Sequence, residues 1–153
     1  MNFDEVDIGN AAIPGQRVAI QDRIDILFDS RSLFEIIVLR IAPSKGAEIM
    51  SADPNGAYDI ERQDGIAKIN INCDAIAEQD RILLGVYATS GPLPDILATI
   101  SQPRTHVPLR SGDASGIVAF EIYKNRDQWR VKVDGSPYKE GLPAILSAHS
   151  NRS

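Results

Sequence analysis

The sequence contains a single cysteine, Cys73, so an internal disulfide and a zinc site built from several thiols are both excluded. It has no apolar run close to the length of about 20 residues that a transmembrane helix needs, so we expect no membrane insertion. It also lacks a surplus of positive charge, because 16 Lys and Arg residues stand against 21 Asp and Glu residues. The resulting net charge of −5 argues against binding to nucleic acid or to an anionic membrane unless the charge is strongly segregated. Peripheral membrane association and oligomerisation stay open.

Motifs of catalysis and of export are missing as well. The chain has no nucleophile elbow, phosphate loop, dinucleotide fingerprint or zinc-protease helix, so we predict that it is not an enzyme. A small enzyme with an unrecognised cleft stays open as an alternative, because a catalytic triad is defined by geometry and not by sequence. The N-terminal MNFDEVD is acidic and lacks the basic end and apolar core of a signal peptide, so we expect a cytoplasmic protein. The length predicts one domain over residues 1–153.

The sequence is rich in β-branched residues, which occur in short alternating segments. Its 20 Ile and 8 Val against 10 Leu favour strands over helices. Apolar and polar residues alternate over Ile66–Cys73, and again over Gly116–Lys124 and Gln128–Asp134, where Asn125-Arg126-Asp127 predicts the turn of a hairpin. About eight to nine such strands and a short helix over Gly141–His149 indicate an all-β fold, an antiparallel β-sandwich.

Two segments and two single residues need separate interpretation. Leu33–Ile41 is almost continuously apolar, which favours a strand buried on both faces. Asp95–Ile100 is ambiguous, because its apolar residues have helical spacing although the segment is short. Trp129 alternates with apolar neighbours and is expected in the core, with a ligand platform as the alternative. Cys73 completes the apolar face of its strand, which favours a buried thiol over a reactive one.

A polar segment between two predicted strands carries five Asp, Glu or Asn side chains within twelve residues: Asp53, Asn55, Asp59, Glu61 and Asp64. Calcium takes about six to eight oxygen ligands, several of them from carboxylates, and the Pro and Gly residues of this segment allow it to fold back on itself. The spacing differs from that of an EF-hand. A calcium site and a solvated turn whose side chains cap the backbone are both compatible with this pattern.

The densest basic stretch consists of Arg104, Arg110, Arg126 and Arg130. Arginine is well suited to binding anions, so these residues predict a patch for an anion or a protein partner at one end of the sandwich. The alternative is that they are unrelated exposed residues on a charged surface.

The last third of the chain contains Phe120-Glu121-Ile122-Tyr123-Lys124, Gln128-Trp129-Arg130-Val131, Asp134-Gly135, Tyr138 and Gly141-Leu142. These segments resemble the closing signature of the tellurium-resistance TerD family. Upstream, Gly65–Thr89 is similar to the strand–turn–strand of that family, and Ile26-Leu27-Phe28-Asp29 stands where the family has a Gly-Trp-Asp-like ending. The resemblance covers about residues 6–148.

The resemblance implies a calcium-binding β-sandwich of bacteria that takes part in stress responses such as tellurite resistance and has no enzymatic activity. Family members that bind calcium have a Phe-Asp-x-Asp-x-Ser strand, and this chain has Phe34-Glu35-Ile36-Ile37 there. Glu35 therefore joins the polar segment as a predicted calcium ligand, whereas Ile37 replaces a second acidic residue. We accordingly predict a module that binds a protein partner of a stress-response complex, with a reduced or single calcium site. The alternative is a structural component of a larger complex, or a homo-oligomer, without metal.

Overall fold

A computed structural model describes residues 15–30, 32–42, 46–49, 57–101, 104–110 and 112–150, without the side chains of residues 46, 47 and 150. The strands of this part are β1 Arg17–Ala19, β2 Arg23–Asp29, β3 Glu35–Ala42, β4 Gly46–Ile49, β5 Tyr58–Gln63, β6 Ile66–Asn72, β7 Arg81–Tyr87, β8 Ile96–Ser101, β9 Arg104–Leu109, β10 Gly116–Asn125 and β11 Gln128–Tyr138. A single 3-10 turn, Cys73–Ala75, follows β6, and helix α1, Leu142–Ser150, follows β11.

The strands form two antiparallel sheets that pack face to face. The six-stranded sheet has the order β1-β11-β10-β7-β3-β4, and the five-stranded sheet has the order β5-β6-β2-β8-β9. The predicted antiparallel β-sandwich with a short C-terminal helix is therefore confirmed. The described residues hold eleven strands, more than the predicted eight to nine, because β4 is a short edge strand without clear alternation and β8 has an ambiguous pattern.

Apolar side chains from both sheets fill the space between them. The fully buried rings of Phe28 in β2 and Phe120 in β10 lie 6.2 Å apart across this core. Trp129 is 4% exposed and Cys73 is 0% exposed, so the predicted core position of each is confirmed. Burial raises the pKa of the Cys73 thiol to about 12, and the thiol therefore stays protonated near neutral pH instead of forming the reactive thiolate.

The segment Asp95–Ile100, whose spacing is ambiguous, lies almost entirely in strand β8. It pairs with β2 on one side and with β9 on the other, so both sides of its backbone are hydrogen-bonded. Ile96, Ala98 and Ile100 are buried while Leu97 is 42% exposed, which is the period of two of a strand. Sheet pairing outweighs the helical spacing here, because local propensity is a weak preference that tertiary context overrides.

The continuously apolar segment begins later as a strand than predicted, because β3 starts at Glu35 and Leu33 is 90% exposed. From there the prediction is confirmed. Val38 belongs to the core between the sheets, whereas Ile37 and Leu39 are buried on the opposite face of β3. Helix α1 covers that outer face and shields it from solvent.

Helix α1 packs on one half of the outer face of the six-stranded sheet. Ile145 is fully buried and points to Gly85 of β7 and Gly116 of β10, where a Cβ atom would lie 3.7 Å and 3.1 Å from its Cδ1. The two glycines thus leave the space that the isoleucine side chain fills. No described helix, this nine-residue one included, is long and apolar enough to span a membrane.

A β-bulge in β10 changes which residues face outward along that strand. The pairing with β7 shifts between Val118 and Phe120, so that Ala119 and Phe120 both enter the core. Val118 therefore contacts the helix on the outer face, and the next outward residue is Glu121. An extra residue at a bulge alters the alternation in this way. The outer face beyond the bulge is polar, and helix α1 does not pack there.

Candidate anion-binding cleft

The polar half of the outer face lies over β1, β11, β10 and β7. Strand β1 is only three residues long, and hydrogen bonds beyond both its ends hold it against β11. The Gly15 amide donates to the carbonyl of Val133 over 2.7 Å, and the Ile20 amide donates to the carbonyl of Trp129 over 3.0 Å. Because Val18 is buried, its neighbours Arg17 and Ala19 stand on the outer face.

Strand pairing arranges the outward side chains in two rows. Arg17 of β1 pairs with Lys132 of β11, which in turn pairs with Glu121 of β10. In the next row, Ala19 pairs with Arg130, which pairs with Tyr123. Paired residues on one face have their Cβ atoms about 4.5–5.5 Å apart, so each row brings side chains of three strands into one place.

These rows line an open cleft of about 560 Å³. Its lining residues are Arg17, Arg81, Glu121, Tyr123, Asn125, Arg130 and Lys132. Four cationic side chains thus stand against one carboxylate, although the chain as a whole has a net charge of −5. The cleft is therefore a positively charged region on an acidic protein, a distribution that concentrates anions locally.

One of the four cations is neutralised within the cleft. Arg81 Nη1 donates to Glu121 Oε2 over 2.7 Å, and the Glu121 side chain is only 14% exposed. Arg17, Arg130 and Lys132 form no ion pair with any residue that the structure describes. The excess positive charge of the cleft therefore belongs to these three side chains.

Arg130 is the least satisfied of the three. Its Nε atom is shielded from solvent and has no hydrogen-bond partner among the described residues. A buried donor without a partner costs about 1–3 kcal/mol. The Arg130 side chain lines the cleft from β11, the strand between β1 and β10, and thus lies near the middle of the cleft.

Sequence reasoning found only one residue of this cleft. Arg130 belongs to the predicted basic patch, but Arg104 lies in β9 of the other sheet and Arg126 lies in the β10–β11 turn. The other cations of the cleft come from β1, β7 and β11. Alternation in β1 and β11 places Arg17 and Lys132 on a polar face, whereas β7 is apolar on both faces after Arg81, and only the strand order shows that these three cations adjoin.

The predicted calcium ligands are distributed over both sheets. Glu35 begins β3, Asp59 and Glu61 lie in β5, and Asp64 lies in the β5–β6 turn with a left-handed φ of 51°. Asp53 and Asn55 lie outside the described residues. The described part of the chain contains no group of three or more His, Cys, Asp and Glu side chains that could hold a metal ion.

Two of the four described residues of this predicted set, Glu35 and Glu61, have cationic neighbours. Glu35 Oε1 accepts from Arg62 Nη2 over 3.5 Å, and Arg62 also donates to the carbonyl of Phe34 over 2.9 Å. Glu61 pairs with Lys68 at 3.4 Å. Because Glu61 and Arg62 are adjacent in β5, they point to opposite faces of that strand. With two of its six members outside the described residues, the calcium set stays a prediction.

Comparison with family models, with curated proteins and with solved structures gives no match for this chain. The resemblance to the TerD family therefore stays a prediction as well.

Proposed function

We propose that this chain is a non-enzymatic binding module that holds an acidic segment of a partner protein in the cleft over β1, β11, β10 and β7. The observation that carries the proposal is the uncompensated charge of Arg17, Arg130 and Lys132 on a chain whose net charge is −5. Such a concentration of one charge attracts a segment of the opposite charge and orients it on approach.

The shape of the cleft favours an extended partner. Its cations come from three different strands, so they are distributed across the sheet and not along one strand. Its remaining lining groups, the Tyr123 hydroxyl and the Asn125 amide, can donate hydrogen bonds to backbone or side-chain oxygens. A segment with several carboxylates would therefore find a separate donor for each of them.

The family resemblance supplies the setting of this proposal. A TerD-like module would bind its partner as part of a bacterial stress response, with calcium at Glu35 and the acidic residues between Asp53 and Asp64. This calcium site and the cleft involve different residues, so the two parts of the proposal can be tested separately.

A peptide-binding measurement tests the cleft. The probe is a short fluorescein-labelled peptide of Glu and Gly, and its anisotropy is followed at increasing protein concentration. We expect the variant R17Q/K132Q to raise the Kd at least about tenfold, because a hydrogen bond to a charged group contributes about 1.5–3 kcal/mol. Added salt should weaken the wild-type complex as well, since exposed charges are screened.

The matched control is R23Q/R104Q, which also removes two positive charges. Arg23 is exposed in β2 and Arg104 is exposed in β9, both in the five-stranded sheet on the opposite side of the sandwich. We expect this variant to bind the peptide like the wild type. Equal weakening by R23Q/R104Q and R17Q/K132Q would show that net charge and not the cleft causes binding, and would reject the proposal.

A second candidate function, self-assembly, has support from exposed apolar residues. Leu33 is 90% exposed and Ile66 is 40% exposed. Both line a pocket of about 240 Å³ between the β2–β3 connection and the β5–β6 hairpin. A second copy of the chain that covers this pocket would bury both. Sedimentation velocity over a wide concentration range tests this, with Leu33→Ser as the variant. A wild-type chain that stays monomeric throughout would exclude self-assembly.

A further inference from the structure

Arg130 occupies the middle of the cleft. It lies in β11 between β1 and β10, with Ala19 beside it on β1 and Tyr123 beside it on β10. Because alanine has no side-chain atom beyond Cβ, it leaves space next to the guanidinium on that side. The hydroxyl of Tyr123 and the ammonium of Lys132, which pairs with Arg17 one row away, are the other donors close to this space.

The charge at this place exceeds what one carboxylate neutralises. Within the cleft itself, a single carboxylate, Glu121, is paired with a single cation, Arg81. The three remaining cations match a group that has more charge and more oxygens than a carboxylate. A phosphorylated serine or threonine carries about −1.5 to −2 charges at neutral pH and three strong acceptor oxygens.

We infer that Arg130, with Lys132 and the Tyr123 hydroxyl, binds a phosphoryl group on a serine or threonine of the partner segment. The inference rests on the proposed function and specifies what the cleft recognises. The planar guanidinium of Arg130, which lines the cleft, can donate two parallel hydrogen bonds to phosphate oxygens. Lys132 adds a positive charge, and Tyr123 adds a neutral donor.

The phosphoryl group belongs to a protein segment and not to a lipid headgroup. A planar bilayer would meet the protein surface around the cleft as well as the cleft itself, and a net charge of −5 disfavours approach to an anionic membrane. A protein segment meets the cleft alone. In addition, the lining residues of the cleft include no aliphatic side chain that would enter the acyl region of a bilayer.

Three labelled peptides that differ at one position test the inference. The first has phosphoserine in a sequence of Glu and Gly, the second has Glu at that position, and the third has Ser. We expect the phosphoserine peptide to bind at least about tenfold more tightly than the Glu peptide. Phosphoserine has about −1.5 to −2 charges and three acceptor oxygens, so it can accept from Arg130, Lys132 and Tyr123 together, whereas the Glu side chain has one charge and two oxygens.

Two variants assign the preference to the proposed residues. Arg130→Lys keeps the charge and removes the planar fork, so the ratio of the two affinities should fall to near one. Tyr123→Phe removes only a hydroxyl, and it should weaken the phosphoserine peptide several-fold more than the Glu peptide. Arg23→Lys, on the opposite sheet, is the control and should leave the ratio unchanged. The fluorescence of Trp129 in the core verifies that each variant is folded.

The outcomes separate this inference from the proposed function. If the phosphoserine and Glu peptides bind equally, the inference is wrong and the proposed function stands. If neither peptide binds, both are wrong. Vesicles of phosphatidylcholine with phosphatidic acid serve as a further probe, and binding to these vesicles without binding to the phosphoserine peptide would also reject the inference. A preference for phosphoserine that disappears in R130K supports it.

Discussion

Replacing Ile145 by alanine tests how the C-terminal helix is held on the six-stranded sheet. Among the described side chains of α1, Ile145 is the one that is fully buried, and it packs with Ile37, Leu39 and Val118 of the sheet. The substitution removes the outer atoms of this side chain and leaves the helix backbone intact, since alanine is the best helix former.

The expected cost follows from what surrounds the side chain. Replacement of a buried Ile by Ala costs about 2–5 kcal/mol, and the cost rises when the site cannot collapse around the cavity. Here the floor of the site is formed by Gly85 and Gly116, which have no side chains that could move into the empty space. We therefore expect a loss of about 3–5 kcal/mol, in the upper part of the range.

Urea denaturation measures this loss by two signals. Far-ultraviolet circular dichroism reports all secondary structure, while the fluorescence of Trp129, the only tryptophan, reports the core between the sheets. For a domain of this length, about 3–5 kcal/mol corresponds to a decrease in Tm of roughly 6–20 °C. Separate transitions of the two signals would show that the helix detaches before the sandwich unfolds.

Two control variants define the comparison. Ile145→Val removes one methyl group and should cost about 0.5–1.5 kcal/mol. Ser147→Ala changes an exposed residue of the same helix and should stay within about 0.5 kcal/mol of the wild type. A loss below about 1 kcal/mol for Ile145→Ala would refute the reasoning, because a cavity in a site that cannot collapse costs more than that.

Three further predictions concern a turn, the buried thiol and the metal. Gly65→Ala should destabilise the protein more than Gly91→Ala. Both glycines have a left-handed φ, which costs other residues roughly 1–2 kcal/mol, but of the two only Gly65 would place a Cβ within 2.7 Å of a backbone atom, the Ser30 carbonyl oxygen. Equal urea midpoints of the two variants would contradict this. Burial raises the pKa of the Cys73 thiol from 9.0 to about 12, so the stability that the protonated thiol contributes should be complete below pH 9 and be lost as the pH rises towards 12. The alkaline fall in the urea midpoint should therefore be smaller in Cys73→Ala than in the wild type. An identical fall in both proteins would exclude the thiol as its cause. The predicted calcium site should bind calcium, so calcium at about 100 times its Kd should raise the free energy of unfolding by about 2.7 kcal/mol, and a chelator should reverse this gain. An unchanged Tm in millimolar calcium would rule out the predicted site.

The strands and the faces of most strands follow from local patterns. Side chains alternate across any extended backbone, so the alternation over Gly116–Lys124 and Gln128–Asp134 predicts both the hairpin and the burial of Trp129. The same reasoning predicts that Cys73 is buried. The Asp64-Gly65 turn, in which both residues have a positive φ, is typical of a two-residue hairpin loop and is also a signal in the sequence.

The bulge in β10 and the conformation of β8 do not follow from local patterns. Ala119 and Phe120 are consecutive apolar residues, and only the pairing with β7 and β11 shows that both face the core. Ile96–Ser101 becomes a strand because β2 and β9 supply hydrogen-bond partners on both sides. In each case a neighbouring strand that is distant in the sequence determines the result.

The sequence by itself determined the fold class, the hairpin of β10 and β11 and the outward direction of Arg17, Arg130 and Lys132, because each depends on the alternation of a few adjacent residues. Only the tertiary structure decided that these three cations and Arg81 share one cleft. Strand β1 pairs with β11 although most of the chain separates them, and β7 reaches the cleft through β10. Which strands adjoin depends on how the whole chain buries its apolar residues, and no local segment contains that information.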